Sequence, residues 1–445
     1  MRTIKILMGL ACLVAVVGIG FIAWTVLGRD PIHFAKGPRV TLAAYTGPSV
    51  TGAPPDLAHA DLVMRGEYLT RAADCQACHT TDGGVPFAGG RAFKLPFGTL
   101  FSPNITPDQA TGIGAWSDAE FLRAVHKGVG RGGKPLYPAF PYAAYTLLTD
   151  DDVLAIKAYL FSVKPIHAVA PENTLVFPFN QRLLMTVWSA MFDADTRFEP
   201  VADRAPEWNR GAYLVEAAGH CGECHSPRNL FQAIDNRKKF AGAVADGWRA
   251  YNISSDKPTG IGSWSEAQLA SYLTNGHAAG RGSPAGPMRE AVDMSLAHLT
   301  PGDVKAVVAY LRTVPPIADP ALPATLAGPA PASAAKGPDG NPHGKALFAG
   351  ACASCHDWTG SGALTANATL TGARAVNDPS AVNVVQMILT GNHDLVGKTQ
   401  AYMPAFGPAY TDLEVADLAN YVTARFGTAG RPIGPADVAR FRQLR

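Results

Sequence analysis

The chain has 445 residues, a formal net charge of +2 and 17% charged residues, so its charge gives no basis for nucleic-acid binding. Its length is too great for one small domain and predicts about three domains. Hydrophobic residues make up 47% of the chain, and glycine (45) and proline (35) are abundant, which suits a globular protein of short helices and long loops with a membrane segment.

The first predicted element is an apolar run over residues 6–28, which contains no charged side chain. As a helix, these residues would span about 34 Å, enough to cross a bilayer. Arg2 and Lys5 precede the run and favour a cytoplasmic N-terminus. The alternative is a cleaved signal peptide, but the apolar region of such a peptide is usually shorter, roughly 7–15 residues, and ends at a small-x-small site. We therefore expect a retained transmembrane anchor over 1–29, followed by a juxtamembrane segment over 30–60.

A Cys-x-x-Cys-His motif occurs three times in the rest of the chain. Its copies are Cys75, Cys78 and His79; Cys221, Cys224 and His225; and Cys352, Cys355 and His356. This motif is typical of covalent haem c, in which both thiols form thioethers with the haem and the histidine binds the iron. The alternatives are a redox-active cysteine pair and half of a zinc site. Because the motifs use six of the seven cysteines, we predict three covalently bound haem c groups.

Similar helices are predicted on both sides of each motif. A short amphipathic helix with a glycine precedes each motif, and a helix with a threonine cap and acidic first turn ends each unit. The glycines are Gly66, Gly211 and Gly344, and the caps are Thr149, Thr300 and Thr411. Each final helix carries apolar residues at helical spacing. We expect this stripe to pack on the first helix of its own unit, where the glycine permits a close approach.

These repeats predict a mainly α fold with three tandem cytochrome c domains after the N-terminal transmembrane helix. The predicted domains cover 61–165, 204–316 and 342–428, with a connector over 166–203, a linker over 317–341 and a tail over 429–445. The connector is rich in large apolar residues, which predicts either packing on the protein's own domains or docking to a partner subunit or the membrane. The linker is rich in proline, alanine and glycine, so we expect the third domain to be positioned separately.

Two of the haem irons have a methionine candidate for the second axial position. A methionine ligand favours reduced iron and raises the potential of an electron-carrying haem. In the third domain, Met403 lies before Pro404 on a predicted extended loop shortly before the last helix. In the second domain, we expect Met288 rather than Met294 to be the ligand.

The first domain lacks such a methionine, because none occurs between Cys78 and Pro165. His126 lies on the predicted helix after Trp116, where a surface histidine is the more ordinary interpretation. Met185 or Met191 of the connector could supply the ligand instead. An open or water-bound iron is a further alternative, and the sequence leaves the choice between them open.

With these motifs, the chain resembles the three-haem cytochrome c subunits of bacterial membrane-bound alcohol, gluconate, sorbitol and fructose dehydrogenases. The resemblance rests on the three motifs and on the segments 98–106, 111–116, 136–142 and 221–228. It implies that electrons leave a catalytic subunit, pass through three haems and reach ubiquinone or a terminal oxidase. The family pattern places the ligand methionine of the first haem at Phe140. A phenylalanine there, together with an N-terminal anchor, also resembles the cytochrome subunits that accompany molybdenum hydroxylases of the aldehyde, nicotinate or isoquinoline type.

We therefore expect an electron-transfer subunit without catalysis of its own, with a flavin, quinohaem or molybdenum dehydrogenase as partner. Covalent haem is attached outside the bacterial cytoplasm, so we expect an inner-membrane protein whose haem domains face the periplasm. Two other classes stay open: a free-standing electron shuttle, and a haem enzyme whose open first haem binds peroxide or another small ligand.

Overall fold

The computed structural model describes residues 16–18, 20, 30–323, 341–392, 402–427 and 431–443. Most of the expected anchor and most of the linker therefore lie outside the described residues. Within those ranges, no helix has both the length and the apolar character needed to cross a bilayer. The described chain is mainly α-helical, with two short antiparallel strand pairs.

The first unit contains five helices and one strand pair. They are α1 (Leu62–Ala72), the motif helix α2 (Cys75–Cys78), β1 (Ala92–Leu95), β2 (Gly98–Phe101), α3 (Asp118–Lys127), α4 (Tyr142–Tyr145) and α5 (Asp150–Ser162). Ala92 faces Phe101 in the strand register. The predicted threonine cap is present, because the Thr149 hydroxyl accepts a hydrogen bond from the Asp152 backbone N–H at the start of α5.

The connector contributes one helix, and the second unit then repeats the plan of the first. These elements are α6 (Leu183–Phe192), α7 (Pro206–Tyr213), α8 (Gly222–His225), β3 (Ala243–Ala245), β4 (Trp248–Ala250), α9 (Glu266–Asn275), α10 (Pro287–Met294) and α11 (Pro301–Leu311). A π-helical turn, Leu214–Ala218, continues α7 toward the second motif.

The third unit has no strand pair within the residues that the structure describes, and its regular elements are helices. It contains α12 (Pro342–Ala351), α13 (Ala353–His356), α14 (Val382–Thr390), α15 (Asp412–Phe426) and α16 (Pro435–Gln443). Short 3₁₀ turns also occur along the chain, at Pro55–Leu57, Arg131–Gly133, Asn236–Lys238, Leu296–His298 and Ala366–Ala368.

The expected contact between the first and last helix of each unit is confirmed. A Cβ atom added to Gly66 of α1 would lie 1.9 Å from the carbonyl oxygen of Ala155 in α5. The equivalent distance is 1.9 Å for Gly211 of α7 against α11, and 2.2 Å for Gly344 of α12 against α15. No side chain fits at these distances, so the two helices of each unit touch through their backbones only because glycine is present.

Units one and two share one hydrophobic core, whereas the third unit has its own. Two hydrogen bonds from tyrosine to aspartate join the first two units. The Tyr68 hydroxyl of α1 donates to Asp303 of α11 (2.5 Å), and the Tyr213 hydroxyl of α7 donates to Asp152 of α5. Arg210 adds two hydrogen bonds to the Asp303 carboxylate, at 2.8 and 2.7 Å. The two tyrosine bonds are reciprocal, because the first helix of each unit donates to the last helix of the other.

The third unit packs on the second, which differs from the expected separate position. Arg249 of β4 pairs with Asp378 of the third unit at 3.2 Å and with Asp319 of the linker at 2.7 Å. The Asn383 side chain accepts from the Arg249 backbone N–H (2.8 Å) and donates to its carbonyl (2.9 Å). The Asp378 side chain is fully buried, so removing the Arg249 charge while the two units stay packed would leave a desolvated carboxylate without its partner.

Two glycines of α12 provide a matched test of the helix contact in the third unit. Replacing Gly344 with alanine should destabilise the third core by about 1–3 kcal/mol, because the added methyl group overlaps the backbone of α15. Replacing Gly350 of the same helix should stabilise it by about 0.4–1 kcal/mol, since nothing lies within 4 Å of the new Cβ atom. Hydrogen exchange of the α12 and α15 amides measures this local stability. Equal changes in local stability for the two substitutions would contradict a close contact between Gly344 and α15.

Candidate haem attachment sites

Each Cys-x-x-Cys-His motif forms a single helical turn with the same backbone geometry. In each motif the histidine backbone N–H donates to the carbonyl of the first cysteine, at 3.1, 3.0 and 2.9 Å in chain order. None of the six motif cysteines forms a disulfide. One turn of helix places residues three apart on the same side, so both thiols of each motif can face one bound group. This donor set of two thiols and an imidazole fits haem c.

A backbone carbonyl holds the imidazole of each motif histidine. The pairs are His79 with Pro103 (2.8 Å), His225 with Tyr251 (2.6 Å) and His356 with Ala368 (2.6 Å). A carbonyl only accepts, so Nδ1 carries the proton and Nε2 is left with its lone pair. This second hydrogen bond is typical of histidines that bind a metal, because it sets the tautomer and the ring direction.

Burial keeps the motif side chains uncharged. It lowers the pKa of His79, His225 and His356, although the hydrogen bond to the carbonyl partly opposes this effect. A neutral imidazole is the form that binds iron.

Burial also raises the pKa of the Cys75 and Cys221 thiols to about 12. Redox-active cysteine pairs need a lowered thiol pKa, so these values disfavour a redox pair. The described residues also contain no group of three or more His, Cys, Asp or Glu side chains that could hold a metal ion, so the zinc interpretation gains no support.

Each of the two methionine candidates lies within the unit whose motif it would serve. The Met403 backbone exchanges two hydrogen bonds with Asn392, at 2.8 and 3.0 Å, and its half-buried side chain packs on the third core. Met288 lies in the first turn of α10 and is half-buried, and Met294 ends the same helix. Gly286, just before α10, has φ +53° and lies against the Trp248 ring, so the entry to this helix is closely packed.

Phe140 stands where the family pattern expects a ligand methionine, and it begins a chain of aromatic contacts. Its ring lies 5.5 Å from that of Tyr145, which lies 5.4 Å from the ring of His220, the residue before the second motif. The buried Tyr145 hydroxyl also donates to the carbonyl of Ala73, two residues before Cys75 (2.6 Å). The first two motifs are therefore joined by one buried tyrosine. The sequence carries no local signal for this contact.

The three remaining candidates for the first iron lie on α3 and α6. The interpretation of His126 as a surface residue is wrong, because its side chain is only 2% exposed. Its Nδ1 lies 3.7 Å from the Asp150 carboxylate, and its buried Nε2 has no hydrogen-bond partner in the part of the chain described. Met185 and Met191 are both half-buried on α6, whose Trp188 packs against the first unit.

A buried ion pair behind the second motif was also not predicted. Glu216, in the π-helical turn, pairs with Lys239 and accepts a hydrogen bond from the Tyr310 hydroxyl at 2.5 Å. Burial raises the pKa of Glu216, and the lysine opposes this effect. A Cβ atom on Gly222, next to Cys221, would lie 3.4 Å from the Lys239 ammonium. This charge pair therefore lies directly against the second attachment site.

The chain is similar to known cytochromes in sequence. Residues 63–164 and 343–425 match the family described as Cytochrome c, and these ranges contain the first and third motifs. The chain is 39% identical over 391 residues to a subunit of the nicotinate dehydrogenase of Pseudomonas putida, and the match covers 87% of this chain and 32% of that protein. The chain therefore spans about a third of that relative's length.

Two further relatives are covered over most of their length. The fructose dehydrogenase cytochrome subunit of Gluconobacter japonicus is 38% identical over 437 residues, covering 90% of this chain and 88% of that protein. The gluconate 2-dehydrogenase cytochrome c subunit of Pantoea cypripedii is 36% identical over 410 residues. This match covers 87% of this chain and 91% of that protein.

The burial of His126 predicts acid sensitivity of the shared core. Burial, helped by the Arg197 cation, lowers the pKa of His126 to about 4, whereas an unfolded histidine has a pKa of about 6.5. Between these values the unfolded state binds more protons, so the free energy of unfolding should fall as the pH is lowered, by roughly 3 kcal/mol in total. His126→Gln should remove this dependence, and His167→Gln, at an exposed position, should keep it.

Thermal unfolding between pH 6.5 and 4 measures this difference. The haem spectrum of His126→Gln should stay unchanged if the side chain is only structural. A spectral change in the variant would instead identify His126 as a ligand of the first iron.

Proposed function

Because this chain belongs to the family of cytochrome c subunits of dehydrogenases, we propose that it carries single electrons from a catalytic dehydrogenase subunit to ubiquinone or a terminal oxidase. Membership of the family implies covalently bound haem c and an electron-transfer role rather than a catalytic one. The observation that carries the proposal is the shared geometry of the three motifs, in which a backbone carbonyl holds each histidine with Nε2 free to bind iron.

We propose three haem c groups, one on each motif. Each group supplies reversible one-electron chemistry at its iron when bound. The attaching thiols belong to Cys75 and Cys78, to Cys221 and Cys224, and to Cys352 and Cys355. His79, His225 and His356 supply the first axial nitrogen. The protein groups around each motif would contribute to the potential of the bound group.

For the second axial position we propose Met403 in the third unit and Met288 in the second. Both side chains are half-buried in the unit whose motif they would serve. In the first unit, Met185, Met191 and His126 stay candidates, since Phe140 has no atom that can bind iron. A methionine ligand raises the reduction potential of a haem. The three haems would therefore differ in potential if their second ligands differ.

The partner is proposed to be a dehydrogenase subunit of the flavin, quinohaem or molybdenum type. The relatives support a dehydrogenase partner, because their names specify subunits of nicotinate, fructose and gluconate dehydrogenases. We also propose that residues 1–29 anchor the chain in the inner membrane and that the haem units face the periplasm. The uncharged run over 6–28 supports the anchor.

Phe140 favours one alternative function, a haem enzyme whose first iron is open to a small ligand. Cyanide or peroxide added to the purified protein would then change its spectrum rapidly. A spectrum that is inert to both would count against this alternative. A free-standing electron shuttle is a further alternative, which purification of the intact complex distinguishes.

Purification in a mild detergent tests the proposed partnership. A catalytic subunit with a flavin, quinohaem or molybdenum cofactor should copurify with the chain, and its substrate should reduce the haems of the complex. The control is the isolated chain, whose haems that substrate should leave oxidised. A solitary chain in repeated mild purifications would refute the dehydrogenase assignment.

Met403→Ala tests the proposed ligand of the third iron. The substitution should convert one haem from low-spin to high-spin and lower its potential, because the sulfur ligand is lost. Met387→Ala is the matched control, since Met387 is the other methionine of the third unit and is also half-buried. A redox titration followed by optical and electron paramagnetic resonance spectra measures both properties. Identical spectra for the two variants would rule out Met403 as the ligand.

A further inference from the structure

A cation joins the first two units beside the first attachment motif. Nη1 of Arg91, just before β1, donates to the carbonyl of Ala77, which lies between the two cysteines of the motif (2.7 Å). The same nitrogen forms an ion pair with the Glu290 carboxylate of α10 in the second unit, also at 2.7 Å. Arg91 therefore contacts the first motif and, 199 positions along the chain, the second unit.

The carboxylate of this ion pair lies on the helix that carries the proposed ligand of the second iron. Helix α10 contains Met288 in its first turn, and Glu290 follows two residues later. The same helix packs against the motif helix α2 of the first unit. The ion pair is therefore located between the first attachment site and the helix that would supply a ligand to the second iron.

The first two motifs also lie close to each other. Burial raises the pKa of the Cys78 thiol to about 12; Asp74 and Cys224 of the second motif raise it further, whereas Arg91 lowers it. Burial raises the pKa of the Cys224 thiol to about 11, and Asp74 of the first unit adds to this effect. Because the two thiols and Arg91 act on one another, haem groups attached at these motifs would share Arg91 as a neighbouring charge.

Water has limited access to this ion pair. The side chains of Arg91 and Glu290 are only 20% and 24% exposed. The nearby Asp74 has a buried Oδ1 without a hydrogen-bond partner in the described part of the chain. Burial raises the pKa of this carboxyl to about 8, an effect that Glu290 increases and Arg91 opposes. Charges are screened less where water is scarce, so Arg91 acts more strongly on its surroundings than a surface cation does.

We propose that Arg91 raises the reduction potentials of both the first and the second haem groups, and that Glu290 limits this effect. The inference rests on the haem groups proposed above and adds the residue that tunes two of them together. Reduction adds one electron at the iron, so a nearby cation favours the reduced state and a nearby carboxylate disfavours it. Arg91 and Glu290 belong to the first and second units, so the potential of the third haem would not depend on them.

Redox titration of the full-length protein with its haems bound tests this role. Arg91→Gln should lower two of the three potentials, by roughly tenfold in the reduction equilibrium, which is about 59 mV for one electron. Glu290→Gln keeps the size of the side chain and an oxygen acceptor but removes the negative charge, so it should raise the same two potentials. Arg91→Lys keeps the positive charge and should leave both potentials close to those of the unaltered protein.

Arg39→Gln is the matched control. Arg39 forms an ion pair of the same length with Asp30 (2.7 Å) and donates to the carbonyl of Ile32 (3.2 Å), and both partners lie outside the motifs. This substitution should leave all three potentials unchanged. A protein with both Cys352→Ala and Cys355→Ala lacks the third attachment site, so the step missing from its titration identifies the third haem.

The opposite signs expected for Arg91→Gln and Glu290→Gln separate a charge effect from damage to the fold. Shifts of the same sign, a shift of one potential alone, or shifts no larger than those of Arg39→Gln would overturn the proposal. If Arg91→Gln fails to retain its haems, the direction of the shift in Glu290→Gln decides by itself. Peptide mass analysis measures attachment separately. Unmodified peptides from the first two motifs would refute the proposed haem groups, whereas attached haems with unmoved potentials would refute the role of Arg91 alone.

Discussion

A backbone contact between the first and last helix, which only glycine permits, recurs in all three units, and the rest of each unit is built on it. The motif turn follows the first helix closely, so the contact determines where each motif begins. The imidazole is then directed by a carbonyl from the following loop. These carbonyls lie 24, 26 and 12 residues beyond their histidines. The loops differ in length and sequence, but each supplies one backbone carbonyl that accepts a hydrogen bond from the histidine Nδ1.

The three units are not independent carriers joined by flexible chain. Tyr68 and Tyr213 cross between the first two units, and Tyr145 joins the segments that lead into their motifs. Arg249 holds the third unit through the buried carboxylate of Asp378. Electron transfer between bound groups depends on distances that do not change. The core shared by the first two units provides such distances, because opening it would expose apolar side chains to water.

The connector also contributes to the packing of the first two units. One side of α6 completes the packing between units one and two, while the other side stays apolar and exposed.

The sequence by itself determined what depends on short spacing: the three motifs, the threonine caps at Thr149, Thr300 and Thr411, and the glycine before each motif. These features act within one or two helical turns, so a linear pattern reveals them. Only the tertiary structure decided the burial of His126, the contact of Tyr145 with both motif segments and the docking of the third unit. Such contacts join distant residues, as for Tyr68 and Asp303, which are 235 positions apart. Which residues make these contacts depends on how the helices pack, and no local sequence pattern predicts them.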